Sequence, residues 1–517
     1  MSMTNTGLTA AIDIGSTFMR LVIAEKTVAG TIRILERSIR GVPFAKEILR
    51  AGRISSEAVE QCAEGLRLFV RQLDEYRIPF GSVKAVVIAS LRGAENCDAV
   101  VDRLTIVSGI PFALLDPGQP AYYYHLALRM LPGRNAVWGD KGVAVLEVGG
   151  LASSLLYGHD GEIRFTQSFN IGSLRIREQL DLSGMGQNYL PVVTEGRIRE
   201  MTASLRQNLP AASPGLNLLV MGREMRVAAS HLKKSTVDFD SSRIMSVPLS
   251  VFRRFVTKVV SVSPADLAGE WNIPYADAEL VAPALCVVLQ TAEALELRKV
   301  FISDLSFSDG LIVEASAGPE AAAEMLRQVI RTAEETGLKF RHDRKHARKV
   351  ADNALALFDL LQPEHACSPR FRILLETAAL LHDVGVFINA RGHHKHSQYL
   401  IRNTEFIGLT QDEIQLTALV ARYHRKSPPK ITHPEYAALS RIHRLLVGKL
   451  AAILRVADAL DRVHDQSLGK VTFELTPTEL LCRPSLKTDT HAEQIALSEK
   501  SDLFNLIYGR SCRIVGE

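Results

Sequence analysis

The stretch L-T-A-A-I-D-I-G-S-T from Leu8 and the stretch G-V-A-V-L-E-V-G-G from Gly142 are near-copies, and this repeat constrains the fold more than any other feature of the chain. Each is an apolar run ending in an acidic residue and a glycine turn. Each is followed by a second β-rich run, F-M-R-L-V-I-A-E in the first case and L-A-S-S-L-L-Y-G in the second, as expected for paired strands. Third strands are expected in T-I-R-I-L-E-R and E-I-R-F-T-Q-S-F-N. The pattern is helical over 55–73, and 84–90 reads as a short buried strand. A unit used twice implies two α/β lobes, with Asp13-Ile-Gly15 and Glu147-Val-Gly149 facing a shared cleft. Two unrelated strand-turn units are the alternative.

A Gly-Pro break near residue 316 opens a long helical stretch, which places a domain boundary there. The remainder reads as helical apart from a short β-like segment, K-V-T-F-E-L-T, at 470–476. A length of 517 residues accommodates about three domains, and 47% hydrophobic with 23% charged residues excludes wholesale disorder or a fibre. The 61 basic and 57 acidic side chains are too evenly matched to predict a specific nucleic-acid partner. Six scattered cysteines without a Cys-x-x-Cys pair argue against a disulfide framework or zinc knuckle and fit a reducing compartment. The start of the chain lacks signal-peptide character and no apolar run is long enough to span a bilayer, so cytoplasmic residence without a membrane partner is expected.

Eleven of the fifteen histidines fall between His342 and His464. Imidazole and carboxylate together form a ligand set for divalent metals. His346 lies one turn before Val350 on the face that continues through Ala354, Leu357 and Leu361, so it is expected to point inward. Asp458 continues the apolar stripe of Val447, Leu450, Ala451 and Leu454, where a carboxylate is costly unless paired or metal-bound. Between them, an apolar helix ends in His382-Asp383, with Gly385 read as its terminator.

His346, His382-Asp383 and Asp458 resemble the H...HD...D signature of the HD phosphohydrolase superfamily. That resemblance implies that these four residues ligate a divalent metal, Mg²⁺ or Mn²⁺, that activates water for attack on phosphorus, with Asp383 catalytic. The runs G-H-H-K-H-S and R-Y-H-R-K-S add His394, His396 and His424 as candidates for a second metal or for phosphate.

The opening A-A-I-D-I-G-S-T-F-M-R-L-V-I, with L-R-G-A-E-N at Leu91, E-V-G-G at Glu147 and F-N-I-G-S-L-R-I-R-E at Phe169, resembles the exopolyphosphatase/guanosine pentaphosphate phosphatase (Ppx/GppA) family. With the phrases H-K-H-S, Y-H-R-K and V-A-D-A-L-D-R, the resemblance extends over essentially the whole chain and points to the family's HD-bearing branch. It implies an α/β two-lobed actin-like ATPase module (ASKHA, ribonuclease H-like), with lobes over 1–133 and 134–315, followed over 316–517 by an all-α HD domain with a short β segment. Asp13, Gly15, Ser16, Arg92, Glu147, Gly149, Gly150 and Arg175 carry over as phosphate-binding candidates, since glycine turns let backbone N–H groups approach phosphate oxygens.

The departures bear on activity. D-I-G-G-G-S-T is usual at the second turn and E-V-G-G-L-A-S stands here, with Glu147, Leu151 and Ala152 as replacements. Gln119 occupies the position of the family's catalytic glutamate, where an amide cannot take a proton from water. Thr17 and Phe18 replace Asn-Ser, and Ser308 stands where arginine is common. The expected activity is therefore a metal-dependent phosphohydrolase working through the HD domain, with a degenerate N-terminal cleft that binds polyphosphate or a phosphorylated nucleotide. A working cleft that recruits Glu147 or Glu95 as base, and a non-enzymatic sensor, are the alternatives. The family also implies a homodimer.

Overall fold

Strands β1 (Leu8–Ile14), β2 (Phe18–Lys26), β3 (Ile32–Gly41), β4 (Val83–Val87) and β5 (Ala113–Leu114) form a sheet in the order β3-β2-β1-β4-β5 in the computed structural model. The residues it describes are 7–27, 31–131, 135–138, 142–159, 161–208, 216–232, 243–317, 319–486 and 489–515. The first three strands pair antiparallel, and β4 and β5 run parallel to β1. A second sheet comprises β6 (Val143–Val148), β7 (Ser153–His159), β8 (Glu162–Phe169), β9 (Asn217–Met221), β10 (Ile244–Pro248) and β11 (Lys299–Ser303), in the order β10-β11-β9-β6-β7-β8. Without its antiparallel edge strand β10, it repeats the first strand for strand.

The repeat reaches individual atoms. Gly15 N–H donates to Phe18 O at 2.8 Å and Gly149 N–H donates to Ala152 O at 3.0 Å, closing both leading hairpins in the same way. A Cβ on Gly15 would lie 3.0 Å from Phe18 O, and one on Gly149 2.8 Å from Ala152 O, so both turns require glycine for close backbone approach. Each lobe has its own apolar core. One gathers Ile12, Leu21, Leu66 and Phe69, and the other Leu146, Val220, Phe252 and Val281.

The chain divides into two compact units, Met1–Glu324 and Met325–Glu517, so the division falls inside the helix Pro319–Lys339. The second unit is not all-α. Its helices pack around Leu357, Leu375, Leu419 and Leu450, and a three-stranded sheet completes it: β12 (Val471–Leu475), β13 (Glu479–Pro484) and β14 (Ser511–Ile514), in the order β12-β13-β14. Only β12 is apparent in the sequence. β14 is four residues long and pairs parallel to β13 after two intervening helices, a non-local contact that no short turn signal announces.

Candidate functional site

In the first unit the two glycine turns border one cavity of about 200 Å³. Gly15, Ser16 and Thr17 line one side and Gly149, Gly150 and Leu151 the other, with Glu147, Arg20 and Tyr124 also facing it. A Cβ on Gly150 would lie 2.6 Å from Thr17 Cγ2, so the turns nearly touch.

Glu147 is the cavity's carboxylate. Burial raises its pKa to about 7, against the hydrogen bond from the Tyr124 hydroxyl and the charge of Arg20. Asp13, its counterpart in the repeat, is fully buried and does not face the cavity. One oxygen accepts from Arg20 Nη1 at 2.7 Å and the other from the Ser308 hydroxyl. This ion pair follows from the hairpin register, which sets Asp13 opposite Arg20.

Three other expected cleft residues are engaged elsewhere. Arg92 donates to Leu115 O at 2.9 Å and Leu114 O at 3.2 Å and pairs with buried Asp116 at 2.8 Å, satisfying carbonyls at the end of a two-residue strand. Arg175 donates to Leu151 O at 2.9 Å. Gln119 turns its Oε1 back to the Asp116 N–H at 2.7 Å, bracing its own helix start. The N–H groups of Ser173, Leu174 and Arg175, at the start of the helix Ser173–Ser183, are taken by the carbonyls of Gly149 and Gly150. Phe18 and Leu151, both departures from the family pattern, share one apolar cluster with Leu174 and Leu280. Apolar packing thus joins the two turns where the family pattern has smaller residues.

In the second unit, helix ends aim imidazoles at a common centre. Asp343 caps the helix Arg344–Leu360 by accepting from the N–H of His346, which fixes His346 in the first turn. His382 and His424 stand just past the last turns of the helices Pro369–Leu381 and Gln411–Arg422. Each donates Nδ1–H to the carbonyl three residues back, Ala379 O and Ala421 O, both at 2.7 Å. His393 does the same to Ala390 O at 3.0 Å. A carbonyl only accepts, so in each neutral ring the free lone pair is on Nε2. His346 Nδ1 lies 2.8 Å from Asp461 Oδ2, which fixes its tautomer likewise.

His346 Nε2 is 3.3 Å from His382 Nε2 and 3.6 Å from Asp458 Oδ1, which is itself 3.8 Å from His382 Nε2. Asp383 Oδ1 lies 3.1 Å from His393 Nε2 and 3.5 Å from His424 Nε2, while its Oδ2 reaches to 3.7 Å from His382 Nε2. Among the described residues, His346, His382 and Asp458 form one set able to hold a metal ion, Asp383, His393 and His424 another, and His346, Asp383 and His464 a third that overlaps both. Asp383 Oδ1 is buried and accepts no hydrogen bond among the described residues, because both imidazoles facing it have committed their hydrogens elsewhere.

Electrostatics divide the set: against burial, Asp458 and Asp461 raise the pKa of His346 to about 9, so without a metal ion it carries a proton that a metal ion would displace. Burial lowers the pKa of His382 and lowers that of His424 to about 3, so both stay neutral. Burial pushes Asp458 upward, but Lys500 and the protonated His346 hold it well below the ordinary range. These residues fit a divalent cation, with Nε2 lone pairs converging beside an orphaned carboxylate oxygen, although that of His393 also accepts from Arg425 Nη1 at 3.3 Å.

His394 and His396 join none of these sets, and His393 takes their place. One step along a helix turns a side chain by about 100°. His393 and Ser397, at i and i+4, share the face that packs on Gly385, and Ser397 Oγ donates to His382 O at 2.6 Å. Gly385 is not a left-handed terminator, since its φ is not positive. It is needed because a Cβ would collide with the backbone of His393 and Ser397. Sequence reasoning also missed Asp461, three residues beyond Asp458; His464, whose ring stacks on His346 at 3.5 Å; and Lys500, paired with Asp458.

Residues 22–317 match the Ppx/GppA phosphatase family, and residues 327–501 match Ppx/GppA phosphatase, domain III. The chain is 24% identical over 495 residues to a guanosine-5'-triphosphate,3'-diphosphate pyrophosphatase of Aeromonas hydrophila, covering 95% of each chain. A protein of the same description from Aeromonas salmonicida is 24% identical over 459 residues, 88% of each. Among solved structures, an exopolyphosphatase from Cytophaga hutchinsonii aligns with 60% of this chain and 98% of its own, with a TM-score of 0.53 and 17% identity, a likeness of fold alone.

Proposed function

The chain belongs to the Ppx/GppA phosphatase family and is a phosphohydrolase, and we propose that its hydrolytic centre is the histidine–aspartate cluster of the second unit, an HD-type site for divalent Mg²⁺ or Mn²⁺. One observation carries this reading: Asp383 presents one oxygen toward the His393–His424 pair and the other toward His382, so a single carboxylate serves both ligand sets. His346, His382, Asp383 and Asp458 would hold one ion, and Asp383, His393 and His424 a second. A divalent ion supplies Lewis acidity there, withdrawing charge from phosphoryl oxygens and acidifying water.

The chain's own residues orient and charge the site. Ala379 O, Ala421 O, Ala390 O and Asp461 fix the four imidazoles with Nε2 inward. Lys500 keeps Asp458 ionised. Polyphosphate and guanosine pentaphosphate are the proposed substrates, from the activities named for the relatives, and the N-terminal cavity is proposed as a phosphate-binding cleft with weakened or absent catalysis. A cytoplasmic homodimer belongs to the same proposal. Among the described residues no single helix is long and apolar enough to cross a membrane. The test is a screen of polyphosphate, guanosine penta- and tetraphosphate and simple nucleotides with Mg²⁺, Mn²⁺ or chelator. Turnover that persists undiminished in chelator sinks the metal-site reading.

A second reading is favoured by Glu147, which faces the cleft with a pKa raised to about 7 by burial and is therefore able to take a proton near neutrality. In that case Glu147→Gln, not a change at the cluster, abolishes turnover.

A further inference from the structure

We propose that a second cavity of the first unit, behind Arg20 and separate from the cleft between the glycine turns, is an anion site for a free tetrahedral oxyanion of orthophosphate size. Its volume is about 180 Å³, and its walls include Arg20, Arg37, Arg226, Arg243, Ser306 and Ser308. A water occupies about 30 Å³ of liquid volume, so the space admits a small oxyanion.

Charge accounting shows why an anion belongs there. Arg20 pairs with Asp13 at 2.7 Å, Arg37 pairs with Asp309, and Arg243 pairs with Asp304 at 2.9 Å while standing 3.8 Å from Asp309. Arg226 donates to a neutral group, Leu305 O at 3.2 Å. Three carboxylates, Asp13, Asp309 and Asp304, are ion-paired to these four guanidinium groups, and Glu147 adds to the field at Arg20 and Arg226 without pairing with either among the described residues. Of the charges that act most on Arg226, Arg20, Arg37 and Arg223 are of like sign and Asp309 alone is opposite, while Arg223 is itself committed to Asp277 at 2.6 Å. Burial and the nearby Arg20 lower the Arg226 pKa to about 10. Arg20 Nε is buried and has no hydrogen-bond partner among the described residues. A cationic group without an ion-pair partner among the described residues, crowded by other cations and bordering a cavity, is stabilised by an oxyanion that accepts from several forks at once.

The serines explain why the anion is not already supplied by the fold. Ser306 donates to Asp309 and Ser308 to Asp13, so the hydroxyls are used to hold the carboxylates back against Arg37 and Arg20. Arg20 borders both this cavity and the glycine-turn cleft. The proposal does not depend on which unit performs hydrolysis.

The test uses the full chain, with chelator present and ionic strength held constant with chloride, and titrates orthophosphate by calorimetry and thermal unfolding. The wild type is expected to bind and to be stabilised. Arg226→Gln is expected to weaken that binding about tenfold or more, as for loss of a charged hydrogen-bond partner, while its unfolding temperature in phosphate-free buffer stays equal to or above the wild type's because like-charge crowding is relieved. Unchanged affinity and stoichiometry in Arg226→Gln, or a variant that is less stable without phosphate or does not fold, overturns the proposal. Crystals of the wild type soaked in tungstate give an independent reading. Density beside Arg226 and Arg243 supports the site, and density confined to the cleft between Gly15 and Gly149 overturns it.

Discussion

His346 and His382 present Nε2 atoms to each other at 3.3 Å although each ring has already committed its Nδ1, one to Asp461 and the other to Ala379 O. Two lone pairs at that distance repel unless a cation, a shared proton or a metal ion, lies between them. Mn²⁺ at about 100 times its dissociation constant should therefore stabilise the second unit by about 2.7 kcal/mol, raising its unfolding midpoint by roughly 5–10 °C. Differential scanning calorimetry with Mn²⁺ and with chelator reads this, and His382→Ala should erase the difference. A midpoint unmoved by Mn²⁺ in the wild type would count against the metal centre.

The side chain of Asp461 lies 2.8 Å from His346 Nδ1 and orients that ring without itself belonging to a ligand set among the described residues. Asp461→Asn keeps the size and removes the charge, so Mn²⁺ affinity should fall about 10- to 100-fold, the usual effect of losing a carboxylate behind a ligating histidine. A Mn²⁺ titration followed by electron paramagnetic resonance measures it, and unchanged affinity would deny Asp461 this role.

Gly385 lets the helix His393–Arg402 approach the loop after Asp383, since a Cβ there would collide with backbone. Gly385→Ala should displace His393 from Asp383 and cost about 1–3 kcal/mol of overpacking. The expected outcome is one Mn²⁺ bound where the wild type binds two; a variant that retains full stoichiometry refutes the close-approach argument.

Glu147 supplies a pH dependence of known sign. Its folded pKa, raised by burial to about 7 from the ordinary 4.5, means that its contribution to stability is complete below pH 4.5 and is lost as pH rises through 7. Up to about 3 kcal/mol is involved, reduced by the solvent that reaches this half-buried carboxyl. Urea unfolding should show Glu147→Gln gaining on the wild type between pH 5 and about pH 8. Parallel pH profiles for the two proteins would contradict the shift.

Much of this was legible in the sequence because it is local. The repeat of an acidic residue and a glycine turn predicts two like sheets, and they share their strand order apart from the added β10. Inward-facing His346 and Asp458 follow from helical periodicity, and both are buried. What escaped was set by distant partners. Arg92 and Arg175 carry the right charge for a phosphate cleft, but carbonyls of Leu115 and Leu151 accept from them, contacts between distant parts of the chain that no local pattern shows. His393 could be told from His394 only by the helix phase against Gly385, and Asp13 lost its place in the cleft to Arg20 and Ser308.

The central claim is that hydrolysis depends on the cluster and not on the cleft position held by Gln119. Attack on phosphorus needs an activated water, and an amide engaged with the Asp116 N–H cannot supply the base. The direct test compares wild type with Asp383→Ala for phosphate release from polyphosphate and guanosine pentaphosphate in Mg²⁺ and Mn²⁺, with folding verified by thermal unfolding. Loss of turnover in a folded Asp383→Ala protein is predicted. Full activity in that protein would place the chemistry in the N-terminal cleft and contradict the account.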